Sequence, residues 1–277
     1  MASIPTNNEP QGNKEMPEHI LTEKRDFVGR ISINRVERHN SLMPDVMREI
    51  MEAVAAFDED PEVRAILLTG EGRDFSVGGD YEALYGSAEL SPSEIKNMLY
   101  KYFAGGVRAV YDCETPTVAA VRGLAYGAAC ELVVACDFRI VSETAKLCET
   151  WSNIGLTPAL GGMFLVPRIL GWAKACEVLL LGDPVSGAEA ARIGLANKVV
   201  PDAELEDTAL ALAKRLASKP PLSVRAIKQI MRKGLETDFT ATQTTGLFAQ
   251  ATLLKSKDYI EGLDAIREKR PPKFEGR

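Results

Sequence analysis

Thr117-Val118-Ala119-Ala120-Val121-Arg122-Gly123-Leu124-Ala125-Tyr126-Gly127-Ala128-Ala129-Cys130-Glu131-Leu132-Val133-Val134-Ala135-Cys136 is the stretch that decides the fold. Thr117–Val121 is a short apolar run and reads as a buried strand. Gly123 to Gly127 is a turn, and Ala128–Cys136 an apolar helix. The turn feeds a helix N-terminus, where free N–H groups and the positive end of the helix dipole face whatever binds there. Small residues at 127–129 leave room for a ligand.

Glu131 stands out in this helix. Its companions are Ala129, Cys130, Leu132, Val133, Val134 and Ala135. A carboxylate in such company is costly unless it is paired or used. Desolvation would raise its pKa, as a general acid/base requires. A first-turn glutamate that satisfies the helix terminus is the competing reading, and spacing alone leaves both open.

Outward from this stretch the pattern alternates. Short strands are expected around His19–Arg25 and Phe27–Asn34, and a helix opens at Ser41-Leu42-Met43-Pro44 with Val46, Ile50, Val54 and Phe57 on one face. Val63–Gly70 reads as a buried strand. It leads to Phe75-Ser76-Val77-Gly78-Gly79-Asp80, where paired glycines permit a sharp turn and close approach to a ligand. A Gly-Gly pair by itself is equally a plain loop. Helix is expected near 93–111, strands at Asp137–Ser142 and Lys146–Cys148, and helices at Gly161–Leu170 and Ala173–Leu181. After Val199-Val200-Pro201 the chain reads as helical almost to its end. The rhythm is that of an α/β domain without a dinucleotide fingerprint.

Composition narrows the chemistry. The 277 residues are 45% hydrophobic and carry a net charge of −6, which argues against a nucleic-acid protein. No apolar run approaches the roughly 20 residues of a membrane span. Met1 to Met16 is polar and is read as a disordered tail with no secretory signal. Only His19 and His39 are present, so any Ser-His-Asp or Cys-His mechanism must use one of them. His39 lies in the polar run Arg38-His39-Asn40-Ser41 and reads as solvated. The five cysteines, Cys113, Cys130, Cys136, Cys148 and Cys176, form no CxxC pair, which argues against zinc. They read as reduced core thiols in a cytoplasmic setting. An acid–base enzyme without a bound cofactor, or a binding protein, is left.

Several motifs in order resemble the enoyl-CoA hydratase/isomerase (crotonase) family. They are Ile33-Asn34-Arg35, Asn40-Ser41-Leu42, Leu67-Leu68-Thr69-Gly70, Phe75–Asp80, Val118–Gly123, Gly127–Leu132 and Cys136-Asp137-Phe138. Gly155-Leu156 with Pro158, Gly161 and Gly162, then Leu181-Gly182-Asp183, and finally Glu268–Phe274 complete the series. The resemblance implies a crotonase-like spiral of ββα units, an acyl-CoA thioester substrate and no cofactor beyond the coenzyme A of that substrate. Beyond the polar tail over 1–16, it implies a core with the acyl-CoA site over 17–200 and a helical oligomerisation region over 201–277 that forms a homotrimer or a dimer of trimers. It implies that the amides of Gly79 and Ala128 form an oxyanion hole and that Glu131 is the acid/base. Arg38, His39, Ser41, Val77, Gly78, Asp80, Tyr81, Tyr126 and Trp151 are the implied substrate contacts.

Family hydratases carry a second glutamate, and ungapped spacing puts Trp151 at its position. Glu149 is two residues early, which on a strand would leave it about 6–7 Å further along. Tryptophan donates one N–H and cannot take a proton. Trp151 is therefore expected as a pocket wall as much as a participant. A dehalogenase branch has tryptophan here with an aspartate eight residues on, but this chain has Ala159. Hydration of a 2-enoyl-CoA is the working expectation. One-carboxylate reactions are the alternative: isomerisation, thioester hydrolysis or decarboxylation. RNA binding and noncatalytic acyl-CoA binding are the non-enzyme alternatives.

Overall fold

The computed structural model describes residues 19–277; the expected tail over 1–16 lies outside them. The chain opens with the hairpin β1 (Ile20–Arg25) and β2 (Val28–Ile33), in which Ile20 faces Ile33. Helix α1 (Pro44–Glu59) starts on its proline and is followed by β3 (Ala65–Gly70) and the short α2 (Tyr81–Gly86). The helical run expected near 93–111 is α3 (Pro92–Met98), a wider π-type segment over Leu99–Ala104, and α4 (Gly105–Asp112).

The next two turns of the chain repeat one plan. The first is β4 (Thr117–Val121), β5 (Leu124–Tyr126) and α5 (Ala128–Ala135). The second is β6 (Phe138–Ser142), β7 (Lys146–Cys148) and α6 (Gly162–Leu170). Helix α7 (Trp172–Cys176), β8 (Val185–Ser186), α8 (Gly187–Ile193) and β9 (Lys198–Val200) follow. The chain ends in α9 (Leu205–Ala217), α10 (Pro221–Gly234), α11 (Phe239–Leu253) and α12 (Lys257–Glu268).

The larger sheet has the order β1-β2-β3-β4-β6-β9, parallel apart from β1. Both its faces are covered, so its central strands are apolar without interruption. Alternation sorts their side chains between two cores. Ile66, Leu68, Ala119 and Val121 point to the core that holds α1, α4 and α5. Ala65, Leu67, Val118 and Ala120 point to the other, which is closed by Leu205, Ala209, Ala213 and Ala217 of α9. That small-residue stripe lets α9 lie close on the sheet.

A second, smaller layer is made by the second strand of each unit. Strands β5, β7 and β8 pair in that order, and the bridges Leu42–Gly79 and Ser76–Ala125 carry the layer back to the first glycine loop. This is the spiral of ββα units that the motifs implied. One boundary differs from expectation. The packed core does not end at residue 200, because α9 closes one face of the sheet. Helix α10 is also tied to the core: Lys228 and Arg232 both bind the Asp137 carboxylate, at 2.9 and 2.6 Å.

Candidate active site

The first glycine loop is built by close contact. Gly78 has φ +85, and a Cβ there would lie 2.2 Å from the Tyr126 carbonyl oxygen. Only glycine fits, in conformation and in space. Position 78 is thereby pressed against the turn 126–128, and the same Cβ would be 3.7 Å from Ala128 N. The carbonyl of Gly78 accepts from Leu42 N–H at 2.7 Å, and Asp80 N–H donates to the Leu42 carbonyl at 3.0 Å. Among the described residues the N–H groups of Gly79 and Ala128 have no acceptor. They are free donors on abutting segments, and Ala128 is the first residue of α5.

Glu131, one turn into α5, is fully buried. Its Oε2 accepts the Gly162 N–H at 2.6 Å. Gly162 is the first residue of α6, so the carboxylate sits on a helix N-terminus. Burial pushes the Glu131 carboxyl up to about 7; the N–H groups of Gly162, Leu160 and Gly161, and the Trp151 indole, act in the opposite direction. The first-turn role considered above does not hold for Glu131: its acceptor atom serves another helix.

Glu149 is the residue that sequence reasoning set aside, and the structure brings it in. It is also fully buried. A methyl group added at Gly162 would lie 3.1 Å from Glu149 Oε1 and 3.2 Å from Glu131 Oε2, so the two carboxylates flank one Cα. The expected offset along a strand fails because β7 stops at Cys148. Glu149 has φ −87 and ψ 66, and Thr150–Ile154 is a tight helical turn. Burial first, then the charge of Glu131, raise the Glu149 carboxyl well above its ordinary value, against hydrogen bonds from Cys130 and Trp151. Each glutamate keeps one buried oxygen, Oε1, without a partner among the described residues.

Trp151 is half-buried, and its Nε1–H donates to Glu149 Oε2 at 3.1 Å. Its ring stands over the Gly127 turn: a Cβ on Gly127 would be 3.4 Å from Cζ2. The indole is thus both a wall and a hydrogen-bond donor.

The remaining expected contacts fall into two groups. Ser41 and Asp80 are buried and bind each other, Oγ donating to Oδ2 at 2.8 Å. Arg35 closes that network by donating to the Ser41 carbonyl at 2.6 Å. These side chains hold the first glycine loop in place. Asn40, left-handed at φ +56, ties the same loop by donating to the carbonyls of Glu71 and Asp74. Arg35 and Asn40 were not singled out from sequence beyond their place in family motifs. Val77 and Tyr126 line the glycine segments and are half-buried. Arg38 and Tyr81 are exposed, Arg38 paired with Glu82 at 2.9 Å and Tyr81 beside Tyr85. His39 is exposed as expected, but its Nδ1 also meets the buried Asp74 at 3.0 Å.

Among the described residues no group of three or more His, Cys, Asp or Glu is placed to hold a metal ion, and no helix is long and apolar enough to cross a membrane. Fold and site together define an acid–base enzyme scaffold in which free amides border a buried carboxyl pair. The chain belongs to the enoyl-CoA hydratase/isomerase family, whose model matches residues 23–277. It is 34% identical over 258 residues to a crotonyl-CoA hydratase of Syntrophomonas wolfei, covering 93% of this chain and 98% of that protein. It is 33% identical over 263 residues to a 1,2-epoxyphenylacetyl-CoA isomerase of Escherichia coli, covering 95% and 100%. A crystal structure of an enoyl-CoA hydratase from Bacillus anthracis superimposes with a TM-score of 0.89 at 30% identity, over 94% of this chain and all of the other.

Proposed function

We propose that this protein catalyses reversible addition of water to a 2-enoyl-CoA, through a thioester enolate. The observation that carries the reading is the pair of unpartnered amides at Gly79 and Ala128, next to a turn from the buried Glu131. Two N–H donors would receive the thioester oxygen as negative charge develops on it. One such donor is worth about 3–4 kcal/mol in a transition state. Glu131, with a carboxyl near neutrality, takes a proton from water as the oxygen attacks C3. Gly78, Val77 and Tyr126 shape the acyl entrance, and Arg38, His39 and Tyr81 face the nucleotide end of coenzyme A. No cofactor beyond that coenzyme is needed.

Double-bond isomerisation is the second reading. The isomerase relative supports it, as does a carboxyl near neutrality, which can remove and return a proton on the same enolate. Incubation with short and cyclic enoyl- and dienoyl-CoA esters separates the two. A mass gain of one water establishes hydration. Unchanged mass with an altered ultraviolet spectrum establishes isomerisation, and no change on any ester overturns both.

The oligomer proposed is a trimer or a dimer of trimers. It is supported by α11, which buries none of its side chains and exposes Phe239, Leu247 and Phe248. A groove of about 490 Å³ between α10, α11 and α12 is lined by Leu222, Ile227, Ile230, Met231 and Leu253, among others. A cytoplasmic setting is supported by five cysteines that are all free thiols.

A further inference from the structure

We infer that Glu149 is the second proton-transfer group of this site, paired with Glu131 across Gly162 and held by the Trp151 indole. The inference deepens the hydration reading and rests on it. Three geometric facts converge. Both carboxylates are fully buried. Their oxygens Glu149 Oε1 and Glu131 Oε2 flank the same glycine at 3.1 and 3.2 Å from where its Cβ would be. Each carries a buried Oε1 that no described residue satisfies. A buried acceptor without a partner costs free energy, and two carboxylates that flank one glycine, each with such an oxygen, point to a shared proton or a shared reactant.

The two ends of the pair are not equivalent. Glu131 receives a backbone amide at a helix N-terminus, which favours its anion. Glu149 receives an indole N–H and no backbone amide. The anion of the pair therefore resides on Glu131 and the proton on Glu149, the division that lets one carboxyl act as base and the other as acid. The other titratable groups around the pair are the thiols of Cys130 on α5 and Cys148 at the end of β7. Burial raises both, Cys148 to about 11, so neither ionises near neutrality.

The hydration step then balances. Water oxygen bonds to C3 while Glu131 accepts one water proton. The C2–C3 π pair moves to form the enolate, whose oxygen rests on the amides of Gly79 and Ala128. C2 takes the proton of Glu149 as the enolate collapses to the thioester. The proton now on Glu131 passes across the pair to Glu149 and restores the starting state. One water is added, and no proton or electron is left over.

Glu149→Gln keeps size and removes the proton-transfer group. Its kcat on the ester that the parent hydrates is expected to fall at least ~100-fold, with KM within about 3-fold. Turnover within about 3-fold of the parent overturns the inference. A readout independent of activity uses the only other tryptophan, Trp172, which is 78% exposed. In a Trp172→Phe background, Trp151 fluorescence should titrate with a midpoint near 7; Glu131→Gln should abolish that transition, and Glu149→Gln should move its midpoint by about one pH unit. A transition whose midpoint Glu149→Gln leaves unmoved overturns the pairing. A parent inactive on every enoyl ester defeats the hydration reading, while the fluorescence titration still decides whether residues 131 and 149 share a proton.

Discussion

Glu131 and Glu149 reach the same glycine by different means. Glu131 is delivered by regular structure: Gly127 sets the start of α5, and helix geometry puts residue 131 one turn from the free amide of Ala128. Glu149 is delivered by a break in regular structure: β7 ends at Cys148, and the chain turns into Thr150–Ile154. Periodicity projects the first side chain and fails for the second, because alternation applies only while the backbone is extended. A carboxylate two positions out of place in a motif still arrives when the chain bends at that residue.

The sharpest way to break this comparison is Glu131→Gln. Turnover is expected to fall at least ~100-fold, the lower range for loss of a general acid/base, as measured by steady-state kinetics. An unimpaired variant would place the chemistry elsewhere. The same variant carries a stability prediction of known sign. Glu131 titrates near 7 in the fold against about 4.5 unfolded, so folding favours its protonated form. Its ionisation therefore removes stability as pH rises from about 4.5 to about 7. Glu131→Gln should be more stable than the parent at pH 8, by at most about 3 kcal/mol, and the gain should vanish near pH 4. Thermal melts at the two pH values check this.

Gly162→Ala attacks the point where the segments meet. Its methyl group would press on both carboxylates and on Pro158 Cβ, which is also 3.1 Å away. Turnover is expected to drop roughly 10- to 100-fold for a displacement of about an ångström, with the circular dichroism spectrum retained. A neutral outcome would show that the carboxylates do not need that spacing.

Trp151→Phe sharpens the contrast, because it removes the indole N–H and keeps a flat wall. That N–H lowers the pKa of both glutamates. Its loss should move the acid limb of the kcat profile to higher pH and reduce kcat by about 3- to 10-fold, a modest effect suited to one hydrogen bond. An unmoved limb would make Trp151 a wall alone.

The smallest effect on turnover is expected far from the pair. Ala213→Leu crowds α9 against the opposite face of the sheet. Overpacking of this kind costs about 1–3 kcal/mol. The melting temperature should fall while kcat stays within about 2-fold. A large fall in kcat would show that the two faces of the sheet are coupled.

The ββα rhythm, the two glycine segments and the buried Glu131 were legible in the sequence because each is local. Apolar alternation marks the strands, glycine marks the turns, and a lone carboxylate in an apolar helix marks a group that something must use. The place of Glu149, the clamp by Trp151, and the work of Arg35, Asn40, Ser41 and Asp80 in holding the first loop were decided only by the tertiary structure. Each depends on where a chain leaves regular geometry or on contacts between residues that lie 31 or more positions apart, as with Gly162 on Glu131, Ser41 on Asp80 and Asn40 on Asp74. Local pattern fixes which face a side chain takes within an element, and it carries no information about which distant backbone that face will meet.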